Sequence, residues 1–336
     1  LHTTYLRTCC IAISAILTQL ALLSEASSPA IEDTYVKKLS KVTAALTNVE
    51  GVALSKAQSV LEQISAAETA TYKLKLGADA TTDHNANMVF AAAVVVASEC
   101  QATARTKLTE LVPVALTATT DSSKEAGHIA ELFELLRAIT THGAAGTKCV
   151  VNAGTDTGTT AKSVAEYGCP KAVTDKATTL VKAAEEQIND EGSPTLAAKT
   201  STKSGTATNT CVFLLGGNNG QSKLWQATGV AGTEVDLAEG FIKIKPHGTS
   251  GSADAATRQQ SGVSSSWATS KDTAPGKLFA KIGDLMLKKH AGCGETANDV
   301  IDHLIGADKA KAIFTKVKRA QSPQMSTNDV QNWAQH

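Results

Sequence analysis

Three groups of residues have the types that could support chemistry. "GGNNGQSK", Gly216 to Lys223, has the Gly-rich composition of a phosphate-binding loop. Such a loop needs a closing Gly-Lys-Ser/Thr and a following helix, so that backbone N–H groups cradle the phosphates. Neither is found here, and the stretch reads as a surface turn. His290, Cys293 and His303 offer imidazole and thiolate ligands. Their spacing fits no zinc motif, and Cys293 has a disulfide as its competing use. His128 and Glu131 stand one helical turn apart, the spacing of a solvated pair. No Gly-x-Ser-x-Gly and no His-Glu-x-x-His occurs. The expectation is a protein that is not an enzyme, with no catalytic residue, cofactor or metal.

Cysteine chemistry is more informative. Arg7 precedes an apolar run from Ile11 to Leu23, and Ser24 and Ala26 follow as small-x-small. The run is short of the roughly 20 residues a bilayer span needs. Residues 1–26 read as a secretory signal peptide, which would remove Cys9 and Cys10. Cys100, Cys149, Cys169, Cys211 and Cys293 remain, and a secreted context favours disulfides among them. Five is odd, so at least one lacks an intrachain partner.

The elements that carry these cysteines read as helices. Residues 35–76 hold no Pro and one Gly. One heptad row is Leu39, Leu46, Ala53, Val60, Ala67, Leu74; the other is Tyr35, Val42, Val49, then Lys56 and Gln63. The second row decays as a straight helix drifts ~20° per heptad, and Leu61 and Ile64 are expected to take over. A single helix here would be roughly 60 Å long and must pack on something equally long. "GADATTDHNAN" reads as a turn, with Thr82 or Asp83 as cap. A second helix follows from about Asn85 to Leu111, with Phe90, Val94, Ala97, Ala104, Leu108 and Leu111 inward. Pro113 should kink or end it, and residues 124–142 resume helical period. The connection is short, so the two helices form an antiparallel hairpin. Its seam is Leu39, Val42, Leu46, Val49, Val60, Phe90, Val94 and Leu108.

From residue 143 to about 250 the chain is rich in Gly and Thr. One helical candidate starts at Lys171, and short strands are expected in "VFLL" and in "FIKI", the latter ended by Pro246. Residues 251–322 return to helices, with a cap at Thr296 and a break at Gly306. Residues 323–336 form a polar tail. Lys plus Arg and Asp plus Glu are 32 each, so no basic stripe recruits nucleic acid. Aromatics are 4%, and the core must come from Ala, Val, Leu and Thr. No later run looks apolar enough to cross a membrane. No Asn-x-Ser/Thr sequon occurs.

Cys149 in "GAAGTKC", Cys169 in "YGCP", Cys211 in "TNTCVFL" and "LAEGFIKI" follow the two long helices. This constellation resembles the N-terminal domain of the class-A variant surface glycoproteins of African trypanosomes. The resemblance implies a mainly α fold: an elongated antiparallel two-helix hairpin, coiled-coil-like (27–142). A disulfide-held irregular upper lobe (143–250) and a smaller helical lower lobe (251–322) complete it. It implies a homodimer in a dense surface coat, neighbouring coat proteins and host antibodies as partners. A lipid (GPI) anchor on a separate C-terminal domain, which this sequence does not include, would hold it on the outer face of the plasma membrane. A receptor or serum-resistance protein that binds a host serum protein is the alternative on this scaffold. The resemblance also implies a Cys149–Cys211 bridge, and a bridge from Cys169 to a cysteine in the first helix. No cysteine lies between Ala26 and Ser98, so Cys100 and Cys293 are the candidates to partner Cys169.

Overall fold

The computed structural model describes residues 30–142, 147–155, 157–170, 188, 211, 213, 216–217, 225–226, 235–244, 274–289, 291–305, 308–322, 324 and 326. The expected signal peptide (1–26), the helical candidate from Lys171, Pro246 and Gly306 lie outside them. After a short strand β1 (Ile31–Glu32) the first long helix is two: α1 (Asp33–Thr47) and α2 (Val49–Ala80). Asn48 between them keeps near-helical angles, φ −76° and ψ −9°. Thr43 and Thr47 donate to the carbonyls of Leu39 and Thr43, a back-bonding that bends helices. Asn adds low helix propensity.

The turn is shorter than expected, because α2 runs through Gly77 to Ala80. Asp83 is the cap: its Oδ1 accepts from the Asn85 N–H at 2.9 Å. The next helix, α3, is continuous from His84 to Ala138, with Pro113 inside it. An interior Pro costs roughly 3 kcal/mol of propensity. Here that is offset by burial on both sides of it, at Ala104, Leu111 and Ala118. Beyond α3 come β2 (Val150–Val151), β3 (Gly216–Gly217), β4 (Trp225–Gln226), β5 (Val235–Leu237) and β6 (Ile242–Ile244). Phe213, the described residue within the expected "VFLL" strand, lies in a helical turn. Helices α4 (Ala274–Leu287), α5 (Ala297–Ile305) and α6 (Asp308–Gln321) complete the described chain.

Two compact units divide these elements. The first contains α1, residues 123–138 of α3, β1 to β6 and the start of α4. β1 pairs parallel with β2, and β5 antiparallel with β6, Val235 opposite Ile244. Its core is Ile31, Leu39, Leu46, Ile129, Phe133, Leu136, Phe241 and Phe279. The last two rings meet edge to face, centroids 5.9 Å apart. The Thr140 hydroxyl accepts from the N–H groups of Cys149 and Val150, 3.0 Å each, and donates to Leu136 O. One side chain thus joins the end of α3 to β2.

The second unit contains α2, residues 84–122 of α3, most of α4, and α5 and α6. Its core is Ala66, Ala70, Leu74, Val96, Ala97, Val300 and Leu304, with Phe90 and Val94 packed against it. The pairing is antiparallel: Ala70 shares a cluster with Ala97, and a Cβ on Gly77 would lie 2.8 Å from the Phe90 ring. Thr296 and Asp299 cap α5 reciprocally, each N–H donating to the other's side-chain oxygen.

Candidate functional site

The surface of α2 and α3 is the first candidate. All six residues of the first heptad row, Leu39 to Leu74, are buried. Val42 and Val49 are buried as well. Phe90, Val94 and Leu108 are half-buried, and Phe90 and Val94 pack against the cluster that α2 and α3 share. On α3 the expected inward residues Ala97, Ala104 and Leu111 are fully buried, and Ala118 extends them into a seven-residue repeat of small and branched side chains.

The polar members of the second row have a function in the second unit. Lys56 Nζ donates to the carbonyls of Met286 and Lys288, at 3.0 and 2.8 Å. It therefore caps the C-terminus of α4, where a cation opposes the helix dipole; partial burial lowers its pKa. Gln63 is buried and accepts from the Ala291 N–H at 3.0 Å. These two positions receive the returning chain.

Leu61 was expected to join the buried face but is 52% exposed, because Ala66 and Ala70 occupy that face. Leu54, Leu61, Tyr72 and Leu76 are all exposed, by 49 to 68%. Their steps of 7, 11 and 4 place them within an arc of ~60° at 100° per residue. The result is an apolar stripe running roughly 33 Å along α2. Val95, Val112 and Leu116 add exposed apolar side chains on α3. One stretch of α3 is long and apolar enough to cross a membrane by length and composition, against the sequence expectation. Only 28% of it is buried.

Cysteine positions form a second candidate. Cys149 is joined to Cys211, and Cys100 to Cys293. The expected bridge from Cys169 to Cys100 or Cys293 is therefore not made. Cys169 is a buried free thiol against Ser40 Oγ of α1. Burial pushes its pKa up, and the hydroxyls of Ser40 and Thr43 oppose this. Ser40 thus stands where the resemblance would place a first-helix cysteine. Cys293, being bridged, is no thiolate ligand for His290 and His303; His290 lies outside the described residues.

The third candidate was not foreseen. Glu125 and His128 stand one turn apart on α3, and Glu239 comes from the tight turn between β5 and β6. One carboxylate oxygen from each Glu and one His nitrogen lie within 4.8 Å of one another. Ala238 and Glu239 have φ of 46° and 45°, a left-handed conformation uncommon for non-Gly residues. Lys124 pairs with Glu239, and His128 Nδ1 is 3.7 Å from Glu239 Oε1. Glu125 is 2% exposed and its Oε1 has no hydrogen-bond partner. Desolvation, then the Glu239 charge, push its carboxyl up to about 7. The Glu-x-x-His spacing at 125–128 was legible, whereas Glu239 follows only from the fold.

A cavity of about 230 Å³ in the second unit is lined by Lys56, Lys107, Lys288 and Lys289, with Glu110 paired to Lys107 at 3.0 Å. Its charge is basic, and Val60, Leu111 and Leu287 supply its apolar lining.

Compared with known families, the sequence matches Trypanosome variant surface glycoprotein (A-type) over residues 12–332. The solved structure titled "Structure of MITat 1.1" aligns with a TM-score of 0.60 at 16% identity, covering 92% of this chain and 86% of that one. At that identity the likeness concerns the fold. Comparison with curated proteins returns no match.

Proposed function

The chain belongs to the A-type variant surface glycoprotein family of trypanosomes, and from that premise we propose that it acts as a coat homodimer joined along α2. The family is one of surface coat glycoproteins. The finer reading is a dense, antigenically variable barrier on the outer face of the plasma membrane, held by a lipid anchor and facing host antibodies. Its function is steric, and its neighbours are further copies of the same coat.

The observation that carries the dimer is the stripe of Leu54, Leu61, Tyr72 and Leu76. Fully burying a side chain of this size contributes roughly 1.5–3 kcal/mol, and about half of that remains available where half is exposed. Four such residues on one helix make a two-fold, self-complementary contact favourable. The test is sedimentation equilibrium at micromolar concentration. The parent should be a dimer, and the Leu61→Glu/Tyr72→Glu double variant a monomer with unchanged helical circular dichroism. A monomeric parent, or a variant that dimerises equally well, would remove the reading.

A further inference from the structure

The geometry points to a divalent-cation site of the zinc class formed by Glu125, His128 and Glu239. Three ligand atoms from two elements already converge, two carboxylate oxygens and one imidazole nitrogen, all within 4.8 Å of one another. Zinc takes such donors at about 2.0–2.2 Å, and three protein ligands leave a fourth position for water. The imidazole selects for a transition metal over calcium or magnesium, which prefer all-oxygen shells.

Glu125 supplies the second, independent reason. A carboxylate that is 2% exposed and has a partnerless oxygen is costly unless neutralised or coordinated. Among the described residues, the lysine beside the cluster is Lys124, and it is paired with Glu239. A dication between the two carboxylates balances both charges and satisfies the orphaned oxygen. The Lys124 side chain is 57% exposed, so its ammonium can leave Glu239 for water as the metal enters. The His128 and Glu239 side chains are 42% and 39% exposed, which gives the ion a route in. The tight left-handed turn at Ala238–Glu239 holds the third ligand over α3.

The experiment is calorimetric titration of zinc chloride into untagged, EDTA-treated and dialysed full chain, with calcium chloride in parallel. One saturable zinc site is expected, with calcium much weaker. His128→Ala and Glu239→Gln should each weaken zinc tenfold or more. Lys124→Ala should tighten it, because it removes the competitor for Glu239. Glu125→Gln should lose the site; if that buried change unfolds the protein, the half-exposed His128 carries the test alone. A parent that takes up no zinc overturns the proposal. So does unchanged affinity in His128→Ala, or calcium binding as tight as zinc.

Discussion

The two units are stabilised by different means, although α3 serves both. In the second, the contact is built from small side chains at regular intervals: Ala66, Ala70, Leu74, Ala97 and Ala104. In the first, the core holds Phe133, Phe241 and Phe279, with Asp33, Ser40, Thr43 and Glu125 buried among them. Its strands are two or three residues long. Long-range pairs take the place of regular ladders: Cys149–Cys211, Thr140 on β2, and Asp33 Oδ1 accepting from the Ala153 N–H at 2.9 Å. One helix can therefore obey a repeat in one stretch and individual contacts in the next. The difference lies in what it packs against.

That contrast predicts opposite sensitivities. In the aromatic unit, removing volume should be the worst change. Phe133→Ala leaves a cavity at a fully buried site and should cost about 3–5 kcal/mol, read as a fall in denaturation midpoint. Amide exchange should accelerate at Ile129 and Leu136 before it does at Ala70. A loss under about 1 kcal/mol would mean that this unit does not depend on its aromatic core.

Next in size comes a gain. Ser40 Oγ of α1 already touches the free Sγ of Cys169, so Ser40→Cys should close a new disulfide. Linking residues so far apart typically contributes ~2–4 kcal/mol by restricting the unfolded chain. Thiol titration of the unfolded, non-reduced variant should find no free cysteine among its six after residue 26. Two free thiols would show that α1 and the Tyr167–Cys169 segment are not packed as described. The parent should resist alkylation while native, since burial keeps the thiol protonated.

How much was legible follows the same division. The row from Leu39 to Leu74 could be read because seven-residue spacing is a local property, and every member is buried. Local spacing could not reveal that Lys56 and Gln63 receive a segment some 230 residues away. Nor could it show that Ala66 and Ala70, rather than Leu61, face inward. On α3 the spacing alternated correctly, but Phe90, Val94 and Leu108 lie at the margin of the buried strip. Ala97 and Ala104, expected inward with them, are fully buried, because close helix contact favours small side chains. Pro113 misled because propensity is a local cost, and tertiary burial over a 55-residue helix outweighs it. The site at Glu125 needs Glu239 from a distant turn, which no local pattern announces.

The small-residue unit supplies the smallest and most discriminating test. Ala97 is fully buried and shares a cluster with Ala70, Leu74 and Val300. Ala97→Leu adds three carbons where two helices and α5 meet, and should cost about 1–3 kcal/mol through overpacking. Removing atoms there has little to remove, so the unit is sensitive to addition rather than truncation. Ala91, exposed on the same helix, is the control: Ala91→Leu should change stability by no more than ~0.5 kcal/mol. If both substitutions prove equally neutral in urea melts, the helices are not held close at Ala97. The contrast between a core sized for alanine and one sized for phenylalanine would then fail.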